Sequence, residues 1–117
     1  MADLTKAALG VRVLEHLLVL AAGETAATVD TTWVAEAIDA AHDRLRKLGY
    51  VPFPTSAIPS WAQISLRDIV AADMAPSYGI SGQRLLGLTS AAKRGETELA
   101  RQTAGFKHNV PITPSYF

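Results

Sequence analysis

The sequence predicts an all-α fold, a small bundle of about four helices followed by an extended C-terminal arm. Apolar residues recur at three- and four-residue spacing in four stretches, which is the periodicity of amphipathic helices. Glycine and proline stand between these stretches, where they end helices. The last twelve residues contain two prolines and no glycine. We therefore expect a helical domain over residues 1–105 and an arm over residues 106–117.

Length and composition fit one globular domain. The 117 residues suffice for one core, and 49% of them are hydrophobic, which is typical of a folded chain. Cysteine is absent, which excludes disulfides and thiolate metal sites and suits synthesis in a reducing cytoplasm. Eleven basic residues balance eleven acidic ones, so no overall charge attracts the chain to nucleic acid or anionic lipid.

The most apolar stretch, residues 4–22, is interrupted by Lys6, Arg12 and Glu15. A membrane-spanning helix needs about 20 apolar residues without such charges. The N-terminus also lacks the basic start and apolar core of a secretory signal. We therefore expect an intracellular protein that does not enter a membrane.

The first helix is predicted from an N-cap at Asp3 to about Ala22, with Gly23 ending it. It carries two apolar stripes on roughly opposite faces. The first stripe is Leu4, Ala8, Val11, Leu14 and Leu18, and the second is Leu9, Val13, Leu17 and Leu20. Such a helix must be covered on both sides, either inside its own bundle or by a neighbouring subunit. The second stripe is the predicted subunit interface.

The second helix is predicted to begin after the capping residues 30–32 and to end at Leu48 before Gly49. It has one apolar stripe and is therefore an ordinary amphipathic helix. Three prolines exclude a helix between residues 50 and 59. The aromatic residues Tyr50 and Phe53 of this loop are expected to fold back onto the core.

The third helix is predicted to start at Ser60 and to reach about Ala75. Ser60 and Gln63 have the spacing of a capping box. Asp73 lies beside the apolar stripe of this helix, so it is either at the wet edge of the stripe, which we favour, or paired with a basic group. Pro76 ends the helix.

The fourth helix is predicted from about Ser81 to about Thr103. Leu85, Leu88 and Ala92 are expected to face inward. Two glycines, at positions 87 and 95, either weaken this helix or allow another backbone to approach closely.

The arm is apolar and stiffened by proline. Fully extended at about 3.1–3.4 Å per residue, it reaches on the order of 40 Å. Such a segment is typical of a docking peptide that pairs with a sheet edge or lies in an aromatic-lined groove of another chain. Packing on its own bundle or fraying is the alternative. The predicted partner-binding residues are Phe106, Val110, Pro111, Ile112, Pro114, Tyr116 and Phe117.

No catalytic, cofactor-binding or metal site is predicted. The three histidines, at positions 16, 42 and 108, lack the ligand spacing of a zinc site. The glycines of residues 79–82 do not have the spacing of a phosphate-binding loop. Glu15–His16 and His42–Asp43 are consecutive pairs, and consecutive helical residues do not face each other. We therefore expect no enzymatic activity.

The third and fourth helices, with the turn over residues 76–81, also fit a helix-turn-helix. The start of the DNA-recognition helix would then carry Gln83, Arg84 and Thr89. Residues 81–117 contain five lysines and arginines against two glutamates, a mild excess of positive charge. A free DNA-binding protein usually has a more basic face. A DNA-binding regulator is therefore the alternative function.

Several segments occur in a familiar order. The first helix opens with Leu-Thr-Lys-Ala-Ala-Leu-Gly-Val (4–11), and the second ends in Leu-Arg-Lys-Leu-Gly (45–49). A proline-rich loop follows, and the third helix ends in Ala-Pro-Ser-Tyr-Gly (75–79). Over residues 4–105 this order resembles the head-to-tail adaptor proteins of tailed bacteriophages, the head-completion or packaged-DNA-stabilisation family. The string at 75–79 is its most specific part.

The resemblance implies a structural virion protein at the head–tail junction, assembled in the host cytoplasm. It implies a ring of copies, usually dodecameric, below the portal protein. The arm would grip the portal, and the far side would carry tail or nozzle proteins. The second stripe of the first helix would meet ring neighbours. Packaged DNA would pass through the ring without a dedicated site, and no cofactor is implied.

Overall fold

The computed structural model describes residues 3–19 and 24–108, with backbone alone for 105–108. These residues form four helices and no strands, apart from one isolated bridge between Leu4 and Ile58. The elements are α1 (Lys6–His16), α2 (Thr28–Lys47), α3 (Ser60–Met74), a 3-10 turn (Ala75–Tyr78) and α4 (Gly82–His108). The predicted all-α class is confirmed.

Helix α3 is the centre of the bundle. Helices α1, α2 and α3 pack against one another, whereas α4 packs along α3 and does not contact α2 within the described chain. Helices α1 and α2 are antiparallel, since Lys6 pairs with Asp39 and Gly10 lies against Val34. The core is therefore one continuous cluster around α3. Its largest fully buried side chains are Leu9, Leu14, Ile38, Leu45, Ile58, Leu66, Ile69, Leu99, Val13 and Val70.

Helix α1 is shorter than predicted. Its N-cap is Thr5 and not Asp3, because the Thr5 hydroxyl accepts a hydrogen bond from the Ala8 amide at 3.2 Å. The helix ends at His16, and Leu18 has a φ of 63°, a left-handed conformation that cannot continue a helix. A longer helix was predicted because the apolar residues continue at helical spacing beyond His16, although the backbone turns there. Residues 20–23, including the predicted terminator Gly23, lie outside the described residues.

The predicted subunit-interface stripe of α1 is part of the chain's own core. Leu9 and Val13 are 0% exposed and Leu17 is 2% exposed, so their assignment to a neighbouring subunit was wrong. Their burial depends on Gly10, since a Cβ at this position would lie 2.8 Å from Val34 Cγ1. The absent side chain lets α1 approach α2 closely. Leu20, the fourth residue of the stripe, lies outside the described residues.

Helix α2 begins earlier than predicted, at Thr28, with Ala27 as its N-cap. The hydroxyls of Thr31 and Thr32 donate to the Thr28 carbonyl, so they act inside the first turns and do not cap the helix. Its C-terminal end was predicted correctly at Gly49, whose φ of 80° suits glycine.

Helix α3 starts at Ser60 as predicted, but its N-cap is the preceding residue. Pro59 is the N-cap, and it provides no side-chain hydrogen bond. The Gln63 amide instead donates to the Ile58 carbonyl at 3.2 Å, inside the protein. The side chain that was expected to cap the helix therefore holds the preceding loop.

The proline-rich loop folds back onto the core, as predicted. The Phe53 ring packs edge-on against Trp61 at a centroid distance of 5.5 Å. His42 Nε2 donates to the Phe53 carbonyl, and the Thr103 hydroxyl donates to the Tyr50 carbonyl at 2.9 Å. These contacts join the loop to α2, α3 and α4.

Helix α4 has 27 residues and extends to His108. Residues 106–108, which were predicted to begin the arm, are therefore helical, and a helix of this length spans about 40 Å. The predicted boundary at residue 106 is three residues too early. The predicted partner-binding residues of 110–117 lie outside the described residues, as does the side chain of Phe106.

Candidate interaction surface

A groove of about 420 Å³ opens between α2 and the C-terminal end of α3. Its floor is apolar because Met74 is buried there, and the Trp33 indole at its edge is 47% exposed. The carboxylates of Glu36 and Asp73 also line it. We call this feature the α2–α3 groove. Its lining residues are Trp33, Glu36, Ala37, Asp73, Met74 and Ser77.

The Ala-Pro-Ser-Tyr-Gly string contributes Ser77 to the lining of the groove. It makes the 3-10 turn, which Gly79 ends with a φ of 74°. The turn places the Tyr78 ring 6.2 Å from that of Trp33, and the Tyr78 hydroxyl donates to Asp30 Oδ1 at 2.8 Å. Burial and this hydrogen bond raise the pKa of Tyr78 to about 12, so the phenol remains a donor near neutral pH. This bond ties the turn to α2 beside Trp33.

Asp73 also lines the groove. Its carboxylate is partly exposed and accepts from the Arg44 guanidinium at 3.2 Å. The sequence allowed two environments for Asp73, the wet edge of the apolar stripe or an ion pair with a basic group. Both are observed, since Asp73 is partly exposed and is also paired with Arg44. An exposed pair of this kind contributes at most about 1 kcal/mol to stability.

The groove lies in an acidic part of the surface. Residues 28–43 of α2 contain four acidic residues and no lysine or arginine. Asp39 pairs with Lys6, but Glu36 is exposed and makes no ion pair within the described part of the chain. The rim of the groove therefore favours a partner that brings an apolar side chain and a positive charge.

The outward surface of α4 has the opposite character. Leu88, Gly95 and Leu99 are buried, and the residues half a turn away from them are exposed. Leu86 is 62% exposed, and no ion pair of Lys93 or Arg94 is present among the residues described. We call this surface the α4 outer face. It consists of Leu86, Ser90, Lys93, Arg94 and Thr97.

Helices α3 and α4 form an antiparallel hairpin. Gly95, midway along α4, lies against Ser65 in the first half of α3. A DNA-binding helix-turn-helix crosses its two helices at about 90–120°, which confines their contact to the turn. Three exposed residues were predicted for the DNA-recognition helix: Gln83, Arg84 and Thr89. However, Arg84 donates to the Leu17 carbonyl at 2.8 Å, which ties it to the end of α1.

An acid–base contact that sequence reasoning missed joins α1 to α3. His16 Nε2 lies 3.7 Å from Asp68 Oδ1, and the same oxygen accepts from Arg67 at 2.9 Å. Partial burial lowers the pKa of His16 and the positive charge of Arg67 lowers it further, while Asp68 opposes the shift. The folded protein therefore favours neutral His16.

Replacing His16 by glutamine is expected to make the protein less sensitive to acid. Because the folded state lowers the pKa of His16 below 6.5, the unfolded chain binds the proton more tightly. Stability is therefore lost as the pH falls below about 6.5, and His16 has no such effect well above this pH. Urea denaturation between about pH 7.5 and pH 5.5 should show a larger loss for wild type than for His16→Gln. Equal losses would contradict this assignment.

Across residues 3–19 and 24–108, no group of three or more histidine or carboxylate side chains is placed to hold a metal ion. In the same residues no helix is both long enough and apolar enough to cross a bilayer. Comparison with models of protein families, with curated proteins and with solved structures finds no match to the chain. Its function is therefore argued from its surfaces and its sequence.

Proposed function

We propose that this protein is a structural head-to-tail adaptor of a tailed phage, which binds the portal ring and joins it to tail components. The observation that supports this most is the α2–α3 groove, where Trp33 is exposed beside the buried Met74. Scattered exposed apolar residues are ordinary, but an exposed tryptophan beside a buried methionine in a groove is typical of a protein-binding surface. The exposed large apolar residues among those described are Val11, Leu18, Val29, Trp33, Leu48, Ile64 and Leu86.

The Ala-Pro-Ser-Tyr-Gly string supports the proposal from a second direction. It is the most specific part of the resemblance to phage adaptors, its Ser77 lines the α2–α3 groove, and its Tyr78 contacts Trp33. A string needed only to end α3 would not require a tyrosine hydrogen-bonded to Asp30. The same residues therefore stop the helix and shape an exposed surface.

The C-terminal segment is the proposed anchor on the portal. Thr103 still contacts Tyr50, and α4 continues to His108 before residues 109–117 begin. Burial of three or four apolar side chains of this segment is worth roughly 1.5–3 kcal/mol each before ordering costs. A ring of such arms would act at high effective concentration, so individually weak contacts would together hold the adaptor ring firmly on the portal.

Removing residues 109–117 is expected to abolish attachment to the portal while leaving the domain folded. The cut follows His108 because α4 extends to this residue. Circular dichroism should show unchanged helix content and Tm. Co-sedimentation with the portal protein of the same phage should fall at least tenfold.

A control with Thr113 and Ser115 replaced by alanine keeps the apolar residues of the arm and should retain binding. Equal portal binding by the truncated protein would show that the arm is not the anchor. The helix-turn-helix alternative gains no support from the antiparallel α3–α4 hairpin. Tight, salt-sensitive binding to a defined duplex in a gel shift would favour it over the adaptor.

A further inference from the structure

We propose that the α2–α3 groove of one copy binds the α4 outer face of a second copy. This contact deepens the proposed function by naming the surfaces through which adaptor subunits would meet. Only its place in an adaptor ring rests on the proposed function, because the contact itself is argued from the two surfaces. It replaces the α1 stripe, which the chain buries in its own core.

The two surfaces are complementary in chemistry. The groove offers the Trp33 indole, with Glu36 exposed at its rim. The α4 outer face offers Leu86 as an apolar anchor, and Lys93 follows two helical turns later at a distance of about 10 Å. Opposite charges and an apolar anchor together fix the orientation of a contact.

The residues around Leu86 permit a close approach. The adjacent Gly87 has no neighbouring atom within 4 Å of a built Cβ, so the residues that the structure describes leave this surface open. Ser90, one turn further, is also small and exposed. Leu86 therefore lies beside two residues with small side chains, which lets a partner surface approach it closely.

The two surfaces cannot meet within one chain. The α4 outer face points away from α3, whereas the groove lies between α3 and α2, and α2 does not contact α4 in the part of the chain that the structure describes. Their complementarity is therefore available only between copies. Because two different patches meet, the contact is heterologous, and repetition closes a ring or extends a filament.

Charge reversal tests this contact directly. One variant carries Glu36→Lys, and a second carries Lys93→Glu together with Arg94→Glu. Each alone should weaken self-association at least tenfold, measured by sedimentation velocity over a concentration series. An equimolar mixture should associate again, because the native groove of the α4 variant meets the native α4 face of the groove variant, and the two reversed surfaces also have opposite charges. Asp43→Lys and Lys47→Glu, exposed reversals on α2 outside the groove, are matched controls that should associate like wild type.

The results separate this inference from the proposed function. A wild-type protein that stays monomeric up to about millimolar concentration would overturn the inference, as would reversal variants that associate normally. Variants that lose portal binding but still self-associate would also overturn it, since the groove would then hold the portal. None of these results affects the truncation test, which alone decides whether the arm attaches the adaptor to the portal.

Discussion

Replacing Leu9 by alanine is expected to lower the free energy of unfolding by about 2–5 kcal/mol. Leu9 is fully buried in the core shared by α1, α2 and α3. Gly10 brings α1 close to Val34, so the surrounding helices are already in contact and cannot easily collapse into the space left behind. Urea denaturation at low protein concentration, where the chain is monomeric, measures the loss.

The Leu9 variant distinguishes a core position from a subunit contact. If Leu9 belonged to an interface between copies, the monomer would keep its stability and self-association would weaken instead. Leu18→Ala is the matched control, because Leu18 is 78% exposed and its truncation should change stability by no more than about 0.5 kcal/mol. Equal stability of the two variants would contradict the packing of α1 against its own chain.

The same substitution, glycine to alanine, is expected to have opposite effects at two positions of α4. At Gly95 a Cβ would lie 2.9 Å from the Ser65 carbonyl oxygen and 3.3 Å from Ser65 Cα. Both atoms belong to the backbone of α3, so the helices themselves must separate. Overpacking of this kind costs about 1–3 kcal/mol, which exceeds the gain of about 1 kcal/mol from better helix propensity. Gly95→Ala should therefore destabilise the protein by up to about 2 kcal/mol.

Gly87 provides the control within the same helix. No atom lies within 4 Å of a Cβ built there, so Gly87→Ala should stabilise the protein by about 0.5–1 kcal/mol through helix propensity alone. Thermal denaturation of the two variants should shift Tm in opposite directions. If both variants gained stability, α3 and α4 would not be packed as closely at Gly95 as the structure has them.

Residues of the candidate surface were only partly predictable. The string at 75–79 was singled out from the sequence, but the groove that it helps to form was not, because the groove depends on how far α2 lies from the end of α3. A signal was nevertheless present. Trp33 and Leu86 are large apolar residues outside the inward stripes of their helices, and such a residue indicates a contact surface where it lies in a groove, as Trp33 does.

The sequence by itself determined the four helices, their order and the inward faces of α2 and α3, which have one apolar stripe each. Periodicity, glycine and proline act locally, so the C-terminal end of α2, the loop over residues 50–59 and the start of α3 follow from nearest neighbours along the chain. Local signals were less reliable where a side chain had a choice of partners. Gln63, for example, was expected to cap α3, and its amide donates to the Ile58 carbonyl of the preceding loop.

Tertiary structure alone decided which apolar faces the chain covers itself. Both stripes of α1 have the same pattern in sequence, yet within the first stripe Leu14 is buried while Val11 is exposed. Gly10 allows α1 to approach Val34 of α2, and Gly95 allows α4 to approach Ser65 of α3, so the close packing depends on residues that are distant in sequence. Burial therefore depends on how the helices pack against one another, and the apolar periodicity of a single helix does not determine it.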